Sequence, residues 1–69
     1  MKLSARNSLR GTIRKIEAGA VNAEVTIEVA PGITIVSIIT LDAVRSLGLK
    51  EGGNAYAVIK ASSVMVGVD

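Results

Sequence analysis

The run Ile33-Thr34-Ile35-Val36-Ser37-Ile38-Ile39-Thr40 is β-branched at seven of its eight positions and apolar on both of its alternating faces. Branching at Cβ favours the pleated, packed environment of a strand. A strand with two apolar faces needs cover on both, and a chain of 69 residues has room for one small domain with one interior. Disulfides cannot supplement that domain, because there is no cysteine. Hydrophobic residues make up 49% of the chain and aromatic residues 1%, so the core is built from Val, Ile, Leu and Ala. Small domains of this kind turn to association, and a second copy is the simplest cover for the second apolar face.

The rest of the chain supplies antiparallel neighbours for this strand. Ala23, Val25, Ile27 and Val29 alternate with Glu24, Thr26 and Glu28, which reads as a strand with one wet face. Ala30-Pro31-Gly32-Ile33 then places Pro and Gly at the centre of a type II turn, joining the two runs as a hairpin. Upstream, Leu9, Gly11 and Ile13 alternate with Arg10, Thr12 and Arg14. The phase slips at Ile16, so a bulge is expected near Arg14-Lys15, followed by a turn at Ala18-Gly19-Ala20. Downstream, Thr40 is placed to cap a short helix from Leu41 to Leu47, with Leu41, Val44 and Leu47 on one side. Gly48 ends it in a Schellman arrangement that folds Leu49 back onto Val44. Lys50 to Asn54 is a polar turn, Ala55 to Lys60 a fourth strand, Ser62-Ser63 a break, and Val64 to Val68 a fifth strand. The expected fold is all-β: a five-stranded oligonucleotide/oligosaccharide-binding (OB-like) barrel, one short helix between strands 3 and 4, and an N-terminal arm.

Several functions are disfavoured by what the chain lacks. Without His or Cys, acid–base or nucleophilic catalysis would fall to Lys, Tyr, Ser or a carboxylate pair, and none stands in a recognisable setting, so no enzyme is expected. Six scattered carboxylates make no site for a free metal cation, and no cofactor is implied. No apolar run reaches membrane-spanning length and Met1-Lys2 leads into no signal-peptide core, which makes a cytoplasmic location the default. Single-stranded nucleic acid is normally held by aromatic platforms within a basic groove, and Tyr56 is the only aromatic residue. Arg10, Arg14 and Lys15 could still meet phosphates, so a small OB-type module for single-stranded nucleic acid or a phosphate-bearing ligand stays open as the second reading.

The net charge of +2 is mild, but its placement is not. Lys2, Arg6, Arg10, Arg14 and Lys15 all precede the first acid, Glu17. A tetrahedral dianion needs converging cations, hydroxyls and free N–H groups with little negative charge nearby. Arg6 offers a guanidinium and Ser4, two residues away, a hydroxyl on the same face of an extended chain. Lys60 and Ser62 repeat that spacing near the other end, and Thr40 sits before a helix. Each also has a plain structural reading: Arg6 a solvated arginine, Lys60 a charge guarding a sheet edge, Thr40 a helix cap, Ser37 a hydroxyl bonded to a nearby carbonyl.

Ser4-Ala5-Arg6-Asn7, Gly11, Ser37-Ile38-Ile39-Thr40, Leu47-Gly48-Leu49-Lys50-Glu51-Gly52 and Val58-Ile59-Lys60-Ala61-Ser62 together resemble the molbindin (Mop) family, a TOBE-like domain, along nearly the whole chain. Within it, the small single-domain molybdenum-pterin-binding proteins of clostridia are similar. The resemblance implies a single domain over residues 1–69 that binds molybdate or tungstate at subunit interfaces for storage or homeostasis, in a homo-oligomer that is a hexamer, a trimer of dimers. No membrane or nucleic-acid partner is implied. Carried over by position, Ser4, Ala5, Arg6, Thr40, Lys60 and Ser62 are the oxyanion ligands. A second interface site would use Asn22 and Ser37. Related regulators carry a further hydroxyl three residues past Thr40, where this chain has Ala43, so that ligand is either lost or replaced by a backbone N–H.

Overall fold

The computed structural model describes residues 1–69. Four strands form one antiparallel sheet: β1 (Asn7–Ala18), β2 (Asn22–Ala30), β3 (Ile33–Thr40) and β4 (Asn54–Ile59), in the spatial order β3-β2-β1-β4. Between β3 and β4 lies α1 (Leu41–Ser46), and a 3₁₀ turn over Ala61–Ser63 follows β4. β1 is the long central element. It pairs with β4 through its first half and with β2 through its second, while the turn before β4 extends its cover: Ile13 N–H donates to the Gly53 carbonyl and Gly52 N–H to the Ile13 carbonyl, at 2.9 and 2.8 Å.

The local features expected from the sequence form for the expected reasons. The register of β1 against β2 shifts between Ile13 and Lys15, which makes Arg14 the extra residue and returns Ile16 to the core face, opposite Val25. The N–H of Ile16 donates to Glu51 Oε2 at 3.0 Å, so a side chain serves the backbone beside the bulge. Gly32 takes a φ of 75°, as the type II turn requires. Thr40 Oγ1 accepts the Ala43 N–H at 3.0 Å and caps α1. At the other end Gly48 has a φ of 62°, its N–H donates to the Arg45 carbonyl, and the Leu49 N–H donates to the Val44 carbonyl, the two hydrogen bonds of a Schellman motif.

Three expectations are corrected. The helix, expected to run to Leu47, stops at Ser46, and Leu47 caps its end and is 68% exposed. The fifth strand does not form. Val64 to Val68 is extended at its start but has no ladder partner in this chain, and Met65, Val66 and Val68 are all more than 90% exposed. A strand needs a neighbour's hydrogen bonds to exist as one. For the same reason the barrel is open: β3 and β4 are both edges, and the sheet curls until they face each other across a groove of about 290 Å³ lined by Ile35, Val36 and Ser37 on one side and Tyr56 to Ile59 on the other.

The core inside the curl is small. Ile13, Ala23, Val25, Ile27 and Ala57 are its only fully buried residues. Ile16, Val29, Ile35, Ile39, Val44, Leu49 and Ala55 pack around its edge. The curl also needs Gly11, because a Cβ there would collide with the Glu28 carbonyl oxygen and lie 2.8 Å from Ile27 Cγ2. Gly11→Ala is therefore expected to destabilise the fold by about 1–3 kcal/mol, the usual range for overpacking. Chemical denaturation would reveal it, and an unchanged midpoint would mean that β1 can move away from β2 freely.

Candidate oxyanion-binding site

The sequence-predicted ligands fall into two groups at opposite ends of the sheet. At the first end, the last rung of the β1–β4 ladder pairs Asn7 with Ile59, so Arg6 and Lys60 are the next residues beyond the ends of these neighbouring strands. Ser4 and Arg6 lie at bends in the arm, and both are exposed; Ala5 between them is half-buried. Lys60 opens the 3₁₀ turn that contains Ser62, and its carbonyl accepts the Ser63 N–H at 2.9 Å. The fold thus gathers the arm triplet and the Lys60 to Ser62 segment, residues more than fifty apart in sequence, at one corner. Neither Arg6 nor Lys60 enters an ion pair within the chain; the pairs are Arg14–Glu28, Lys15–Glu17 and Arg45–Asp42. Both cations are available to an external anion.

Thr40 lies at the second end, opposite Asn22 in the β2–β3 ladder. That ladder joins β1 near Ala18, so along the sheet Thr40 lies beyond one end of the 12-residue β1 and Arg6 beyond the other. The curl of the sheet narrows the gap, since Met1 of the arm and Ile39 beside Thr40 line one cavity. No cavity of the chain is lined by both Arg6 and Thr40. The Ala43 N–H donates to Thr40 Oγ1 at 3.0 Å. The hydroxyl proton of Thr40 remains available for donation.

The pair Asn22 and Ser37 is not brought together. Ser37 sits opposite Val25, three rungs from Asn22 and thus roughly 10 Å along the strand. Asn22 lines a shallow groove with Glu17 and Glu24, two carboxylates that oppose an anion there. Ser37 is half-buried at the mouth of the curled sheet, and no side-chain hydrogen bond within the chain involves it, contrary to the simple reading of a bonded hydroxyl. Asn7 is the polar residue at the first end that sequence reasoning left without a role. Its Nδ2 donates to the Ile59 carbonyl at 3.3 Å, a contact that only the register of β1 against β4 reveals.

Arg10 and Arg14 do not join the first cluster. Arg14 donates from Nε and Nη2 to Glu28 Oε1 at 3.0 and 2.7 Å. Arg10 stands opposite Tyr56 on the face away from the core, where the single aromatic ring makes no stacking platform with a neighbour.

Residues 3–66 match the family described as the TOBE domain. The chain is 52% identical over 69 residues, the full length of both, to a probable molybdenum-pterin-binding protein of Haemophilus influenzae. The chain belongs to the TOBE-domain family, among its molbindin (Mop) members. Its fold superposes with a TM-score of 0.90 on MopII from Clostridium pasteurianum, at 46% identity over 97% of this chain and 100% of that one. It superposes at 0.94 on ModG, a cytoplasmic molybdate-binding protein solved with molybdate bound, at 56% identity over all of this Mop domain and 49% of ModG. The open, curled sheet is therefore the OB-like Mop fold as one chain forms it.

The electrostatics of this Mop domain give one pH-dependent pair. Hydrogen bonds from Arg14, and then the charge of that guanidinium, hold the Glu28 carboxyl below its ordinary value of 4.5. A depressed carboxylate contributes stability above its unfolded pKa and loses it as pH falls through the folded one. The stability difference between the protein and Glu28→Gln is expected to be constant above about pH 5 and to shrink as acid is added below about 4.5. Denaturant titrations across that range measure it, and a difference that stays flat into acid would show that the ion pair is not formed in solution.

Proposed function

We propose that this protein binds molybdate or tungstate between subunits of a homo-oligomer, as a cytoplasmic store or buffer of the oxyanion rather than as an enzyme, with residues 1–69 acting as one domain. The observation that carries the reading is the split of the donors. Arg6 and Lys60, cations without a carboxylate partner, lie with Ser4 and Ser62 on the adjacent segments beyond the Asn7–Ile59 rung, while Thr40 lies beyond the other end of β1. On this reading, a second copy would complete the ring of donors. The molybdate-bound ModG domain, 56% identical, supports molybdate as the ligand.

The surface of the chain supports the association. It exposes 5402 Å², whereas a folded monomer of 7.1 kDa exposes roughly 4,100 Å². The excess, about 1,300 Å², exceeds the roughly 800 Å² that each partner buries in a standard interface. Much of it is apolar: Ile33, Val36 and Ile38 on β3 and the segment Val64 to Val68 are exposed. We assign the assembly as a hexamer, a trimer of dimers, in which this surface is buried. Sedimentation is expected to give six chain masses, and a monomer at micromolar concentration would overturn the assignment.

Because only the folded assembly would hold the anion, saturating molybdate or tungstate should raise the melting temperature, with a gain of about 2.7 kcal/mol at a hundredfold excess over Kd. An unmoved melting temperature would end the molybdate reading. Arg6→Ala is expected to weaken binding tenfold or more, roughly the loss of one charge-assisted hydrogen bond, while Arg14→Ala, whose partner is Glu28, changes it little. Equal losses would indicate a diffuse field instead of a site, and binding of a short single-stranded oligonucleotide that molybdate cannot displace would favour a nucleic-acid module.

A further inference from the structure

Asn7 makes the only side-chain hydrogen bond that crosses the end of the sheet where Arg6 and Lys60 meet. Its Nδ2 and the Ile59 carbonyl oxygen, 3.3 Å apart, join residues separated by 52 positions. That carbonyl belongs to the planar peptide unit whose nitrogen is Lys60's own, so the bond orients the plane from which Lys60 departs. On the far side of Lys60, its carbonyl accepts the Ser63 N–H at 2.9 Å and closes the 3₁₀ turn. The Lys60 backbone is thereby held from both directions, while the ammonium stays free of any carboxylate. Arg6 is attached to the same clamp, since it immediately precedes Asn7. Asn7 is half-buried, whereas its neighbours Arg6 and Ser8 are exposed.

We propose that Asn7 is a positioning residue for the oxyanion site, setting the spacing of Arg6 and Lys60 by locking the start of β1 onto the Ile59–Lys60 peptide. This rests on the molybdate reading above. Strand ends fray when their last rung is not reinforced, and fraying here would separate the two cations that must converge on one ligand. The chemistry favours an amide. Alanine would leave the rung bare, and aspartate would turn a carboxylate toward a carbonyl oxygen and put negative charge beside the anion. Asn7 itself need not touch the ligand.

Molybdate titrations of the intact protein, Asn7→Ala, Lys60→Ala and the double variant test the assignment, together with amide hydrogen exchange of each ligand-free protein. Asn7→Ala is expected to weaken molybdate binding about tenfold, the scale of losing a group that orients a ligating side chain. In the Lys60→Ala background the same change should cost less than about twofold, because Asn7 acts through Lys60. Exchange at the Ser63 amide should quicken in Asn7→Ala while that at Ile13 and Val25 holds. The proposal is overturned if Asn7→Ala binds as tightly as the parent, if the full loss persists without Lys60, or if Ser63 exchange is unchanged. Should the parent fail to bind molybdate, the functional reading falls, and the exchange comparison alone decides whether Asn7 orders this corner.

Discussion

The pairing of β1 on both sides is the constraint on which the molecule depends. β4 pairs with its first half, Asn7–Thr12, with the turn before β4 extending that cover to Ile13, and β2 pairs with its second half, Thr12–Ala18, so this strand joins the β2–β3 hairpin to β4. Two residues let it curl. Gly11 allows the Glu28 carbonyl to approach where a Cβ would block it, and the bulge at Arg14 bends the strand while restoring Ile16 to the interior. Curling wraps the sheet around five small buried side chains, too few for a closed aliphatic barrel. The same strand separates the two groups of candidate ligands, Arg6 and Lys60 beyond its start and Thr40 beyond its end.

The chain leaves part of its own hydrogen bonding and apolar cover undone. It makes 32 backbone–backbone hydrogen bonds, where roughly 46 are usual for a chain of this length. The shortfall lies with two open sheet edges, an arm and an apolar tail, none of which has a partner within the chain. The open edges have a geometric origin: the sheet curls until β3 and β4 face each other across a groove without pairing. In the assembly proposed above, covering β3 and the tail would also bring donors from different copies toward one anion, so that burial of apolar surface would stabilise the binding arrangement.

Much of this was legible in the residue order because it is local. The Pro31-Gly32 turn, the alternation of Ala23 to Val29, the slip at Ile16, the Thr40 cap and the Gly48 stop each depend on neighbours within a few positions, where backbone preference and periodicity decide the outcome. The molbindin resemblance and the cationic, acid-free run before Glu17 likewise pointed to the arm and to Lys60. The fifth strand was misread because Val64 to Val68 has the composition of a strand, and composition does not supply a partner for its N–H and C=O groups. Tertiary structure alone decided that Arg6 and Lys60 are neighbours, that Thr40 lies beyond the other end of β1, that Arg14 is paired with Glu28, and that Asn7 reaches the Ile59 carbonyl. Each of these is a matter of strand register, which is set by how whole strands bury their apolar faces against one another and so cannot be read from any short stretch of sequence.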